Sequence, residues 1–204
     1  NTQQNDSLLN PIFINNSLEK ENTLKADLTY KLNKTIELNA GVSGKLINFE
    51  ADIFVPEFTS TFGDSIPTTD LNADENYNKL AAYTNFGFLF FDKLNLNLGI
   101  RADYFSPTTS KTFISPRFST SYRLTDITSL TFSTGIYHQA PSYIWLVGDK
   151  VNLELKNIRV NQFVLGVDQY FSADALFRVE GFIKDYFDYP TSLRRTYLIM
   201  ANTG

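Results

Sequence analysis

Residues 115–139 read SPRFSTSYRLTDITSLTFSTGIYHQ. In the first half, Phe118, Thr120, Tyr122 and Leu124 fall on one face, with Arg117, Ser119, Ser121 and Arg123 on the other. Thr125-Asp126-Ile127-Thr128 supplies a tight polar turn. In the second half, Leu130, Phe132, Thr134 and Ile136 share a face, with Ser129, Thr131, Ser133, Gly135 and Gln139 opposite. Strict period-two alternation marks a hairpin with one apolar face. Such a hairpin either covers a soluble core or turns its apolar face to lipid and its polar face to a lumen.

The same pattern recurs on both sides of this hairpin. Leu24, Ala26, Leu28, Tyr30 and Leu32 alternate with Lys25, Asp27, Thr29 and Lys31, and Asn33-Lys34 turns the chain into Ile36, Leu38, Ala40 and Val42. Thr84, Phe86, Phe88 and Phe90 lead through Asp92-Lys93 into Leu94, Leu96, Leu98 and Ile100. Phe163, Leu165 and Val167 lead through Ser172-Ala173-Asp174 into Phe177, Val179 and Ile183. A further strand is expected near Arg195. Residues 1–22 are polar and are expected to form an irregular segment. From 49 to 78 the alternation fades, so a long loop is expected there, with residues 47–56 extending a strand beyond the main sheet. Nowhere does a convincing 3.6-residue period predict a helix. Composition is uniform, so residues 1–204 are expected to form a single domain.

Composition narrows the function. The chain has 204 residues, a net charge of -4 and no cysteine. Scattered Lys and Arg form no basic patch for nucleic acid, and thiol metal sites and disulfides are excluded. No apolar run approaches the roughly 18 residues of a transmembrane helix. The segment Asn1-Thr2-Gln3-Gln4-Asn5-Asp6 has neither the basic region nor the apolar core of a signal peptide.

Three features favour lipid over a soluble core. The apolar faces carry no charge, as a lipid face requires at roughly 2–4 kcal/mol per charge near the midplane. Patterned segments reach the roughly 9–11 residues that span a bilayer as a tilted strand, well above the usual strand length of about 5–6. Connections alternate between tight turns and longer loops, the arrangement of an outer-membrane barrel. Tyr30, Phe90, Tyr122 and Phe171 lie near the short turns, and Tyr104, Tyr186 and Tyr189 near the other end, as two aromatic girdles would.

The succession of LNLNLGIRADY (94–104), SPRFS with YRLTD (115–119 and 122–126) and GIYHQAP (135–141) resembles the barrel of TonB-dependent outer-membrane receptors. The ending Ala201-Asn202-Thr203-Gly204 resembles the start of a later strand of such barrels. The resemblance implies an all-β, antiparallel up-and-down transmembrane β-barrel in the bacterial outer membrane. Family barrels have about 22 strands, so about eight complete strands and part of a ninth are expected to be an internal fragment. An N-terminal plug and the C-terminal strands would then be absent from it. The implied function is nutrient import, of a metal chelate, vitamin, glycan or peptide, with a plug displaced through TonB. Implied partners are outer-membrane lipid, the plug and TonB system, and the remaining strands or other outer-membrane subunits. Two other readings are a structural barrel subunit of a larger assembly, and a small porin- or adhesin-like barrel in which residues 24–32 would pair with a strand near Tyr197.

The polar faces place Arg101, Asp103, Arg117, Arg123, Arg178 and Glu180 toward the lumen as a mixed-sign wall, along with Lys25, Asp27, Lys31, Glu37, Asp168 and Lys184. Tyr143 and Trp145, on an outer loop, suit stacking on a sugar or aromatic ligand, or a girdle anchor, or packing within the loop. His138, the single histidine, joins them as an outer-loop candidate or serves as an ordinary rim residue. The run Asp70-Leu71-Asn72-Ala73-Asp74-Glu75 begins like a calcium loop, with Asp70, Asn72 and Asp74 as oxygen donors. Its sixth position holds Glu75 where the calcium motif needs glycine, so no cofactor is expected. Gly41-Val42-Ser43-Gly44-Lys45 is too short for a phosphate loop, and no Gly-x-Ser-x-Gly elbow or carboxylate pair points to an enzyme.

Overall fold

Alternating apolar and polar residues with tight polar turns between them can satisfy their backbone groups only by pairing with neighbouring strands. The computed structural model shows this pairing carried through the chain. It describes residues 3–4, 11–59, 61, 63, 65, 66, 68–172, 174–192 and 199–203. Eight long strands form the sheet: β1 (Pro11–Lys31), β2 (Ile36–Val55), β3 (Thr69–Phe90), β4 (Leu94–Phe105), β5 (Thr112–Arg123), β6 (Thr128–Gln139), β7 (Ile158–Ser172) and β8 (Ala175–Phe187). Each is antiparallel to its sequence neighbour, in the order β1 to β8. The two residues Gln3–Gln4 add a short strand beside β1. This is an unclosed up-and-down sheet, part of a barrel. The strand expected near Arg195 and Tyr197, which the small-barrel reading pairs with residues 24–32, falls on 193–198, outside the described residues.

Turn chemistry explains the short end. The Asn33 side-chain oxygen accepts from the backbone N–H groups of Thr35 and Ile36, each at 2.8 Å, and so closes the β1–β2 turn. Phe91 and Asp92 have φ of 52° and 54°, the left-handed pair that matches hairpin twist between β3 and β4. Residues 124–127 and 173–174 make the other two short connections, and all four lie at one end. The longer segments 56–68, 106–111 and 140–157 lie at the other end. Tyr30, Phe90, Tyr122 and Phe171 are exposed beside the short turns, where a lower girdle was expected.

Four expectations need correction. The polar stretch 11–22 is no ragged loop: it continues β1, paired residue for residue with β2 from Ile14↔Phe54 to Lys31↔Glu37. Most of the loop expected at 49–78 is likewise strand, since β2 and β3 pair without interruption from Ile36↔Phe88 to Val55↔Thr69. Only the connection 56–68 lies between them, with a short pairing of Phe58–Thr59 and Ser65–Ile66. Asp70, Asn72 and Asp74 therefore sit in β3 at alternate positions. A helix also exists: α1 (Tyr143–Gly148), followed by a 3₁₀ turn at Lys150–Glu154 that the Asp149 side chain caps through Val151 N–H. Finally, Tyr186 is paired with Val160 on the polar face of β8, so it does not belong to an outward-facing upper girdle.

The extension of β1, β2 and β3 has its own core, because the alternation of β2 changes phase. Val42 and Leu46 are 57% and 64% exposed, whereas Ile47, the next residue, is 2% exposed. From there Phe49, Ala51 and Ile53 are buried on the opposite face. No bulge causes this, since pairing on both sides stays in register. With a side-chain period of two, moving the apolar residues from even to odd positions moves them to the other face. Helix α1 packs there, placing Tyr143 and Leu146 in a cluster with Ile47, Phe49, Ile53, Tyr77, Phe105 and Phe113. Burying side chains of this size is worth about 1.5–3 kcal/mol each.

Candidate functional site

The polar face of the lower wall is a set of locally paired charges. Arg101 holds Asp103, two residues along β4, through Nε at 2.8 Å and Nη2 at 2.7 Å. Arg178 holds Asp168, its register partner across β7–β8, through Nε at 2.6 Å and Nη2 at 2.8 Å. Glu180 Oε1 lies 4.0 Å from Arg178 Nε. Arg117 stacks 4.7 Å from the Tyr137 ring centroid, and Arg123 pairs with Ser129 beside the 124–127 turn. The Tyr83 hydroxyl donates to Asp27 Oδ1 at 2.6 Å. That bond crosses β2 above Gly41, where an added Cβ would meet both side chains at 2.5 Å. Glycine is required there because β1 and β3 reach each other across the strand between them. The expected lumen charges thus share one face, with Arg101–Asp103 and Arg178–Asp168 paired locally and Arg117 against a ring, as in a solvated wall.

His138 is a packing residue. Its Nδ1 lies 3.0 Å from Ser115 Oγ, and its ring lies 5.6 Å from that of Phe113. The expected open Tyr–Trp stacking pair is corrected in part. Tyr143 is 8% exposed, stacked on Tyr77 at 5.4 Å and tilted against Phe49 and Phe105 at 5.7 and 6.2 Å. Burial pushes its hydroxyl pKa up to about 12, and that hydroxyl has no hydrogen-bond partner among the described residues. Trp145 is half-buried. Two positions apart on a short helix, the rings of Tyr143 and Trp145 do not lie over one another. Among the described residues no cluster of three or more His, Asp or Glu is placed to hold a metal. Asp70, Asn72 and Asp74 pair with Phe54, Asp52 and Glu50 along the outer polar face of the extension.

Several residues of the outer mouth were not singled out from the sequence. Lys79 reaches over Tyr143 and Phe105, with Nζ 4.6 and 4.8 Å from the ring centroids. A cavity of about 470 Å³ opens beside it, lined among others by Glu19, Lys79, Tyr143, Trp145, Tyr186 and Tyr189. Asn152, fully buried, donates to the Trp145 carbonyl at 2.6 Å and accepts from Met200 N–H at 2.8 Å. Asn202 accepts from Lys156 N–H at 2.8 Å and donates to the Asp188 carbonyl at 2.6 Å. These amides join the 140–157 segment to β9 (Pro190–Ser192) and β10 (Met200–Asn202), a short antiparallel pair after β8. Thr109 N–H adds the 106–111 loop by donating to the Leu153 carbonyl at 2.8 Å. The period of an apolar stripe cannot reveal such loop-to-loop amide bonds.

Known proteins share this architecture. The copper transporter OprC superposes with a TM-score of 0.69 at 15% identity, over 97% of this chain and 34% of that one. The FrpB iron transporter of Neisseria meningitidis gives 0.69 at 14% identity, over 98% of this chain and 33% of that one. The siderophore receptor PirA of Acinetobacter baumannii gives 0.64 at 14% identity, over 93% and 31%. The chain spans about a third of the length of these structures, and at such identities the likeness shows the fold. No curated protein sequence matches. The family model for the TonB-dependent receptor-like β-barrel matches residues 1–203. With that match, the phase-inverting wall and the loop-bearing end, the chain belongs to the TonB-dependent receptor-like β-barrel family of the bacterial outer membrane.

Proposed function

We propose that the chain forms part of the wall and outer mouth of a receptor that imports a nutrient: a metal chelate, vitamin, glycan or peptide. One observation carries this reading. The apolar face of β2 changes between Leu46 and Ile47, so a lipid-facing wall continues upward into a water-exposed extension. The inner side of that extension is filled by α1 and lined by aromatic and charged side chains. A structure built only to seal a membrane has no need of such a mouth. Residues 1–204 act in this reading as one domain with no resident cofactor. The charged lower wall faces a plug supplied by the rest of the protein, and a TonB system moves that plug.

The test is uptake by the full-length receptor in cells. Accumulation of a radiolabelled ligand should depend on the proton gradient and on TonB. Equal entry of small solutes in cells lacking TonB would instead mark a passive pore. Fixed partner proteins with no uptake would mark a structural subunit.

A further inference from the structure

The cavity beside α1 holds two opposite charges and no ion pair between them. Lys79 is half-buried on the inner face of the extension, yet none of the ion pairs formed among the described residues uses it. Its Nζ rests over two rings instead. Glu21 is already engaged by Lys45 Nζ at 2.7 Å and by the Thr23 hydroxyl at 3.0 Å. Glu19, two residues along on the same face of β1, is exposed and lines the cavity without an ion pair of its own among the described residues. Its field nevertheless reaches Lys79. Tyr143, more than nine-tenths buried, lines the same cavity, and its enclosed hydroxyl has no hydrogen-bond partner among the described residues.

A ligand with a single charge would satisfy one of the two ions and desolvate the other at a cost. A neutral sugar would satisfy neither. A ligand with both signs and an apolar body answers all three features. At about 470 Å³ the cavity falls within the usual size of a small-ligand site. We propose that this cavity binds a zwitterionic, peptide-like ligand, with its carboxylate on Lys79, its ammonium on Glu19 and its apolar side chains against Tyr143, Trp145, Tyr186 and Tyr189. The inference rests on the import reading and names the substrate class of its mouth.

The experiment uses the full-length receptor in detergent and isothermal titration calorimetry with three probes. These are the dipeptide phenylalanyl-phenylalanine, its C-terminal amide and its N-acetyl derivative. Each blocked probe should bind about ten-fold more weakly than the dipeptide, the effect of one charged hydrogen bond. In Lys79→Met the dipeptide should lose its advantage over the amide but keep it over the acetyl derivative. In Glu19→Gln the reverse should hold. The proposal is overturned if the dipeptide does not bind, if the blocked probes bind as tightly as it does, or if either variant weakens all three equally. Displacement of the dipeptide by a neutral oligosaccharide with equal potency in the wild type and both variants would likewise overturn it. Binding in detergent needs no energy coupling. Dipeptide binding without energised uptake would therefore break the import reading alone. Energised uptake of another ligand with no dipeptide binding would break only this proposal.

Discussion

Below the level of Leu46, strand β2 is apolar on the outside and polar within; above it, the same strand is polar on the outside and apolar within. Leu46 and Ile47 are neighbours, yet one is 64% and the other 2% exposed. Hydrogen bonding along the two halves is the same continuous ladder. What differs is the solvent each outer face meets. Lipid rewards an apolar exterior and leaves the interior to charges and hydroxyls. Water rewards a polar exterior and requires the extension to bury an ordinary core beneath α1. The backbone is indifferent to the boundary, so the whole instruction is carried by which parity holds the apolar side chains.

Substitutions can break each half by its own rule. The largest effect is expected above the boundary. Phe49→Ala removes a ring packed against Tyr143 at 5.7 Å and should cost about 3–5 kcal/mol of the extension's local stability. It would be read as faster limited proteolysis of the outer mouth, with the lower wall still resistant. Next comes a charge on the lipid face. Val42→Arg should cost about 2–4 kcal/mol in bilayer unfolding titrations, whereas Asn48→Arg, on the same face above the boundary, should stay within about 0.5 kcal/mol. Equal costs for the two would erase the boundary drawn here. Asn152→Ala removes the bonds of a fully buried amide to the Trp145 carbonyl and from Met200 N–H and should cost about 1–3 kcal/mol. The expected signature is faster hydrogen exchange in α1 and at Met200 together; exchange at only one would show that the loops are not joined. The smallest effect belongs to the exposed Lys20–Glu50 pair. Lys20→Met should change thermal stability by less than about 1 kcal/mol, and less still in high salt.

The lower half was legible from the sequence because each strand repeats one rule. Leu94 to Ile100 and Leu130 to Ile136 are uniform in parity, and tight turns fix their partners. The upper half was less legible for two physical reasons. The parity change at Leu46 and Ile47 is present in the sequence, but two parities in one strand blur into an apparent loss of pattern. The polar run in β1 from Asn15 to Asn22 has no apolar face of its own. It is a strand because β2 offers it a ladder, from Asn15↔Ile53 to Asn22↔Leu46, and such partner-dependent pairing leaves no local mark. Helix α1 has six residues, too few to display a period. That the charged residues share one face is legible because face follows from parity. The gathering of Glu19, Lys79 and Tyr186 around Tyr143 depends on side chains from distant strands, which parity does not encode.

The outer face above Leu46 has a consequence for how a cell carrying this protein is met from outside. Nine residues of β2, from Ile47 to Val55, rise about 30 Å along the strand at roughly 3.3 Å per residue. The side chains turned outward over that height are Asn48, Glu50, Asp52 and, on β3, Asn72, Asp74 and Asn76. Together they make a hydrophilic panel on the flank of the extension, beneath the connections at that end. Those positions can change to evade recognition without disturbing the apolar residues behind them, so the panel is free to vary at a pace the lipid-facing wall cannot match.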